Sequence, residues 1–338
     1  MTATATLSLA DLEVLISNAL VASNVSAANS APVARALTAA EADGQKGHGL
    51  TRVPSYAAQA RSGKVDGHAQ ADVKQVRPGS IVIDARHGFS YPAIEMALDL
   101  LPSLARSNGI AAAAVTRSHH FGVAGHPCER LAALGLVALA LGNTPSAMSP
   151  WGGRRALFGT NPIAFAAPCS GRMPVVVDLA LSEVARGRIL AAAQENKPIP
   201  LGWAVDEHGQ PTTDPEAALK GTLLPSGGAK GAALALMVEV LAAALTGSNF
   251  AFEASSFFEA GGTPPSVGQF LLVLDPAAFA GSTSLPDRVS LLARAIEGEA
   301  GARVPGTRRF ALRERAMREG VTVDAKLVAD VREIARSS

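Results

Sequence analysis

The chain has 338 residues, 48% of them apolar, 17% charged and only 4% aromatic. Thirty Lys and Arg stand against 29 Asp and Glu, a formal net charge of +1, and neither sign runs in blocks. That balance argues against a nucleic-acid binder, which would show a basic face interleaved with aromatics, and makes a small molecule the expected partner. A long chain with so few aromatics must build its core from Ala, Val and Leu, with backbones packed close together.

In chain order, "SLADLEVLISNALVASNV" predicts a first helix with Ser8 as N-cap and Leu12, Leu15, Ile16 and Leu20 on one stripe. "SAPVARALTAAEAD" predicts a second, and a third resumes from about Val53 to Arg61 after the glycine-rich stretch Gly44–Gly49. "SIVIDARHG" reads as a short strand, and "MALDLLPSLARSNG" as an amphipathic helix that tolerates Pro102. "IAAAAVTRS", "GLVALALGN", "IAFAAP", "VVVDLA" and "QFLLVLDP" are buried strands. "LSEVARGRILAAAQEN" and "AKGAALALMVEVLAAALTG" are helices between them, the second closed by Gly247, and "DRVSLLARAIEG" and the tail from Arg313 are helical again. Strands alternating with helices predict an α/β or α+β class in one continuous unit; parallel and antiparallel pairing are equally open. There is no 20–50-residue repeat and no linker.

No apolar run reaches about 18 residues without a charge or breaker, so no membrane span is expected; Gly231–Leu245 contains Glu239 and reads as a buried helix. Cys128 and Cys169 share no CxxC spacing and no secretory segment is visible, which predicts two free thiols and a cytoplasmic protein. GxGxxG after an early strand, GxxxxGK[ST], HExxH and GxSxG are all absent.

Three of the seven histidines, His119, His120 and His126, crowd into "TRSHHFGVAGH". Adjacent histidines rarely share one metal, which prefers i,i+2 or i,i+4 spacing with acidic or thiolate support, so no metal is expected. Gly122 and Gly125 after an apolar strand instead suit a ligand approaching the backbone; exposed turn histidines are the alternative. His48, between two glycines in "KGHGLTR", lies four residues before Arg52. A titratable imidazole beside a guanidinium suits proton transfer to a carboxylated substrate, although a Gly-flanked histidine is also a common turn residue. Asp178 ends a strand, as an N-cap or a ligand contact, and Lys230 follows a glycine pair where it could meet phosphate.

The ordered blocks "DGQKGHGLTRVPSY", "SGKVDG", "SHHFGVAG", "LFGTNPIAFAAP", "VVVDLALSEVARGRI", "GQPTTDP", "LLPSGGAKGAALALMVEVLAAALTG" and "VPGTRR" span nearly the whole chain. They resemble the malate/L-lactate dehydrogenase family that lacks a Rossmann fold and includes sulfolactate and ureidoglycolate dehydrogenases and Δ1-piperideine-2-carboxylate/Δ1-pyrroline-2-carboxylate reductases. The resemblance implies an NAD(P)-binding domain with a mainly antiparallel sheet over 76–300, interrupted by a helical insertion at about 185–250. Helical parts over 1–75 and 301–338 would pack together, and the protein would be a homodimer with its active site at the subunit contact.

For residues, the resemblance implies His48 as catalytic acid/base with His120 as a second proton-handling or orienting group. It makes Arg52 and Thr160 the substrate contacts, and His119, Phe121, Gly122, Asp178, Leu179, Ala180, Ala229, Lys230, Arg303, Gly306, Arg308 and Arg309 the contacts to NADP(H) or NAD(H). The implied reaction is hydride transfer to C2 of a small 2-imino or 2-oxo acid. The longer blocks favour a cyclic ketimine giving L-pipecolate or L-proline. A 2-hydroxyacid dehydrogenase of malate, L-lactate or sulfolactate type is the alternative, favoured by Gly47 where the family usually has Ser and by Arg188 where cyclic-imine reductases carry Asp.

Overall fold

A computed structural model describes residues 3–279 and 284–337. The N-terminal strand β1 (Thr4–Leu7) leads into α1 (Leu9–Val21), whose Ser8 side chain accepts the Asp11 N–H as an N-cap. Helix α2 (Ala27–Ala42) is capped likewise by Ser26, and α3 (Val53–Ser62) starts on a first-turn Pro54 and stops at left-handed Gly63. Two 3-10 turns, Lys46–His48 and Leu50–Arg52, bridge α2 and α3, so the glycine-rich stretch is ordered although not α-helical.

The sheet follows. Strand β2 (Asp72–Arg77), fully exposed and without an apolar signature, escapes sequence reading; β3 (Ser80–Asp84) pairs with it. Helix α4 (Ser90–Asn108) keeps Pro102 inside, and crosses over to β4 (Ile110–Ser118), which lies parallel to β3. A parallel pair needs such a crossover. Helix α5 (Gly125–Ala133), then β5 (Val137–Gly142), β6 (Ile163–Ala167) and β7 (Val175–Leu179) complete this half.

Next come α6 (Arg186–Gln194), β8 (Ala204–Val205), α7 (Pro215–Lys220), β9 (Thr222–Leu223) and α8 (Ala229–Val238). The helix expected to run unbroken to Gly247 instead widens into a π-helical stretch, Glu239–Ala244. Strand β10 (Val267–Leu274) inserts between β4 and β5, giving the seven-stranded order β2-β3-β4-β10-β5-β6-β7. Every pairing in it except β3–β4 is antiparallel, and the class is mixed α/β. The chain ends with α9 (Ser284–Glu297), α10 (Thr307–Glu319), β11 (Val321–Asp324) and α11 (Ala325–Arg336).

Three apolar clusters hold the molecule together. One joins an Ala-rich sheet face to α4 and α5, through Ala97, Leu101, Ala113, Leu131 and Leu271. Small strand residues let the helix backbones approach, which is how a core so poor in aromatics reaches close packing. A second packs α1, α2 and α3 against α11, with β1 and β11 paired across the two chain ends. The third lies under the opposite sheet face, where Leu141 and Met148 meet Ile189, Leu223, Ala235 and Val238. Among the described residues, no helix is long and apolar enough to cross a membrane.

Candidate active site

The His48–Arg52 turn is fixed from beneath by a buried carboxylate. Leu50 N–H donates to Glu41 Oε1 at 2.7 Å, and a Cβ on Gly49 would come within 2.3 Å of that same oxygen. Glycine at 49 is thus a requirement of close approach. Burial raises the Glu41 carboxyl, against the lowering effects of the Leu50 N–H and Lys46. From Arg52 the chain enters α3, and Arg52, Tyr56 and Gln59, spaced four and three residues apart, share a face of that helix.

Arg52 Nε donates to Gly47 O at 2.7 Å, its guanidinium lies 4.9 Å from the Phe258 ring centroid, and its buried Nη1 has no partner among the described residues. A fork so oriented with N–H groups still free suits a carboxylate. The His48 and His120 rings stack, with centroids 5.2 Å apart and planes 10° from parallel. His48 Nδ1 is sealed without a partner among the described residues, and its pKa falls to about 4, first through burial and then through neighbouring Arg52 and His126.

His120 is held from two sides: Tyr56 Oη lies 2.6 Å from its Nδ1, and Phe257 packs on the ring. Its pKa is driven well below the ordinary imidazole value by burial, then Arg52, His48 and His119. His119 is the most enclosed of the three. Only 1% exposed, it sits among Tyr56, Phe89 and Phe257 with Nε2 bonded to Gln59 Oε1 at 2.8 Å. Burial, with Arg52 and Lys64, lowers its pKa to about 3. All three imidazoles are therefore neutral near pH 7, and the His119 side chain is placed in the core rather than on an open surface.

The loop carrying Phe257 and Phe258 is tied to α3 by side chains that sequence reading passed over. Gln59 Nε2 donates to the carbonyls of Phe257 (2.8 Å) and Glu259 (3.0 Å), and the buried Lys64 Nζ to those of Ser256 and Glu259. Thr160 stands at a separate turn, where its N–H donates to Thr144 Oγ1 at 2.9 Å. A polar chain connects this turn with the histidines. Gln269 Nε2 donates to His119 O, the next residue back, Gly268, donates its N–H to Asn143 Oδ1, and Asn143 and Asn161 both donate to Glu239. The π-helical widening begins at Glu239, whose buried carboxylate also accepts the Ala251 N–H.

The third histidine of the cluster has a different setting. His126 Nε2 meets Asp43 Oδ2 at 2.8 Å, in a network with Arg309, Arg313 and Glu129 that joins α2, α5 and α10. Arg309 is only 8% exposed and bonds Glu129 at 2.6 Å, and Asp178 accepts the Gly125 N–H at 2.9 Å. These two side chains, expected at the cofactor, are committed to protein partners. A groove of about 460 Å³ between α2 and α4 is lined by Tyr91, Phe121, His126 and Arg313 but by none of His48, Arg52, His120 or Thr160.

The remaining expected cofactor residues fall at two places along β7: the loop before α8 meets its end, and the segment before α10 lies beside its start. Ser226 N–H donates to Leu181 O, bringing the loop before α8 alongside Leu179 and Ala180, while a Cβ on Gly306 would touch Val176. Lys230, Arg303 and Arg308 are exposed there and have no ion-pair or hydrogen-bond partner among the described residues. Exposed cations without a partner among the described residues, with Gly227 and Gly228 at positive φ before α8, suit the phosphates of a dinucleotide. Phe121 is buried and Gly122, at φ 72°, lies against Tyr91. No group of three His, Cys, Asp or Glu among the described residues is arranged to hold a metal.

A profile of the malate/L-lactate dehydrogenase family matches residues 7–332. The chain is 52% identical to a (2R)-3-sulfolactate dehydrogenase (NADP(+)) of Chromohalobacter salexigens, over 98% of both chains. It is 43% identical to a Δ1-pyrroline-2-carboxylate/Δ1-piperideine-2-carboxylate reductase of Pseudomonas putida, over 87% of this chain and 86% of that one. Among solved structures, Δ1-piperideine-2-carboxylate reductase from Pseudomonas syringae superposes with a TM-score of 0.92 at 40% identity, covering 98% and 99% of the two chains. Sulfolactate dehydrogenase from Methanocaldococcus jannaschii superposes with a TM-score of 0.90 at 28% identity, covering 98% and 97%.

Proposed function

The chain belongs to the malate/L-lactate dehydrogenase family of oxidoreductases, and from that premise we propose that it is an NADP-dependent 2-hydroxyacid dehydrogenase of the sulfolactate, malate or lactate type. The observation that carries this reading is the stack of two neutral imidazoles beside an arginine with free N–H groups. Arg52 holds the substrate carboxylate, supported by Thr160. His48, unprotonated at neutral pH, takes the hydroxyl proton as C2 is oxidised and returns it to the oxygen in the reverse direction. Docking a carboxylate on Arg52 offsets the guanidinium charge that helps depress His48, so substrate binding itself makes the imidazole a better proton carrier.

Bound NADP(H) would accept or supply the hydride at C2, with Lys230, Arg303 and Arg308 facing its phosphates and Leu179, Ala180 and Ala229 its uncharged parts. Arg188, exposed near the start of α6 and free of side-chain partners among the described residues, is a second cation suited to a dicarboxylate or sulfonate. The exposed apolar positions Leu234, Leu236, Met237, Val240 and Leu245 support a homodimer covering that face. A cytoplasmic setting belongs to the same reading.

Cyclic ketimine reduction is the second reading, favoured by the close superposition on a piperideine-carboxylate reductase and by the matching relatives. Purified protein assayed with sulfolactate, malate and lactate in oxidation, and with Δ1-piperideine-2-carboxylate and Δ1-pyrroline-2-carboxylate in reduction, separates the two. Turnover of the cyclic imines alone would overturn the first reading.

A further inference from the structure

Tyr56 and Tyr91, named by neither the sequence motifs nor the proposed chemistry, form a hydroxyl chain that ends on His120. Tyr91 Oη lies 3.1 Å from Tyr56 Oη, which lies 2.6 Å from His120 Nδ1. Both phenol rings are buried, Tyr56 wholly and Tyr91 to within 7%. Two proton arrangements are conceivable along this chain. In one, Tyr91 donates to Tyr56 and Tyr56 to Nδ1, which leaves the imidazole proton on Nε2. In the other, Nδ1–H donates to Tyr56 and Tyr56 to Tyr91. The second strands the Tyr91 proton, because Tyr91 Oη has no further partner among the described residues. A buried donor left unmet costs about 1–3 kcal/mol, so the first arrangement wins.

Nε2 of His120 has no hydrogen-bond partner among the described residues and is not among the sealed polar atoms of the site, so it is open to a ligand on a ring that lies stacked on His48. We propose that Tyr56 and Tyr91 are positioning residues that fix His120 as its Nε2–H tautomer, so that this imidazole donates a hydrogen bond to the oxygen on substrate C2 while His48 handles the proton. Charge develops on that oxygen when the carbonyl is reduced, and a fixed neutral donor aimed at it stabilises the charge without moving a proton. Gly122 belongs to the same device. A Cβ there would come within 2.7 Å of Tyr91 Oη, so only glycine leaves the last hydroxyl of the chain in place.

The donor role rests on the dehydrogenase reading of the site; the tautomer does not, and the two are separately measurable. Long-range 1H–15N spectra of protein labelled with 15N-histidine, with the His120 signals assigned by H120Q, report the tautomer directly. The expected result is Nε2–H in the unmodified protein and loss of that single form in Y56F. A His120 signal with Nδ1–H in the unmodified protein would overturn the proposal. Kinetics with whichever 2-oxo, 2-hydroxy or 2-imino acid is turned over supplies the second readout. Y56F should lower kcat about tenfold and Y91F about threefold, with KM little changed, as expected when a transition-state donor is misaligned. Unchanged kcat in Y56F beside an altered tautomer would overturn the donor role. Absence of turnover with every 2-hydroxy and 2-oxo acid, with the tautomer as expected, would count against the dehydrogenase reading instead.

Discussion

Two polar regions meet within a few residues of one another and use the same side chains in opposite ways. His48, His119, His120 and Arg52 are desolvated among aromatic rings, with His48 Nδ1, His119 Nδ1 and Arg52 Nη1 left without partners. Asp43, His126, Glu129, Arg309 and Arg313 are as deeply placed, yet their charges close on one another. Asp43 precedes His48 by five residues and His126 follows His120 by six, so each segment sends one end into each region. Burial with pairing exhausts a charge and fastens three helices together. Burial without pairing leaves groups whose unmet valence a ligand can satisfy, and that is where reactivity resides.

The paired region should show the larger effect on stability. Asp43→Ala would leave His126, Arg309 and Arg313 facing one another without their shared carboxylate, and a broken buried pair costs about 3–5 kcal/mol. Urea unfolding should register that loss; a change below about 1 kcal/mol would mean that the network holds little of the fold. His48→Ala should do the reverse. Turnover should fall by about 10² or more with stability nearly kept, the range expected for a general acid–base group. Near-normal turnover in that variant would sink the assignment.

Acid should act on the two regions in different windows. The folded pKa values of His48 and His119 lie at about 4 and about 3, below the ordinary 6.5, so the unfolded chain binds more protons as soon as pH drops below about 6.5. Stability therefore declines from that point toward pH 4. For Asp43, burial alone would raise the carboxyl, but the bonds from Arg313 and His126 together bring it below 3.8, so its contribution is intact above that value and fails only beneath it. His48→Gln should flatten the dependence between pH 6.5 and 4 by up to about 1.4 kcal/mol per pH unit. An unchanged slope would show that His48 is not buried neutral.

Much of the first region was legible in sequence because its residues cluster. His48 and Arg52 are one turn apart, with Gly47 and Gly49 flanking His48, and His119 and His120 are adjacent, with Gly122 two residues on. Tyr56 and Gln59 were legible in principle, since the periodicity of α3 carries the Arg52 face onto them. Phe257 and Phe258 were not, because they reach the site from a loop some 200 residues away that carries no motif. The paired region was hidden for the same reason: His126 and Asp43 are separated by 83 residues, and nothing local announces their contact. In the fold, Ala-rich buried strands lack the alternation that separates one face from two, so their pairing direction came from resemblance, and the solitary parallel β3–β4 pair came from neither.

Adjacent arginines allow the smallest and sharpest test of the contrast. Arg308 is exposed and unpaired among the described residues, whereas Arg309 is buried against Glu129 and Asp43, although the sequence presents them as equivalent. If the exposed cations Lys230, Arg303 and Arg308 face cofactor phosphate, Arg308→Ala should weaken NADPH binding about fivefold, the ~1 kcal/mol expected of one solvated ion pair, and the effect should shrink as salt rises. Its unfolding midpoint should not move. Arg309→Ala should instead lower the midpoint, because it leaves buried carboxylates without their partner. Fluorescence titration with NADPH and urea unfolding on both variants would read the two properties independently. Equal losses of affinity would place both side chains at the phosphate and dissolve the distinction between the open site and the paired network.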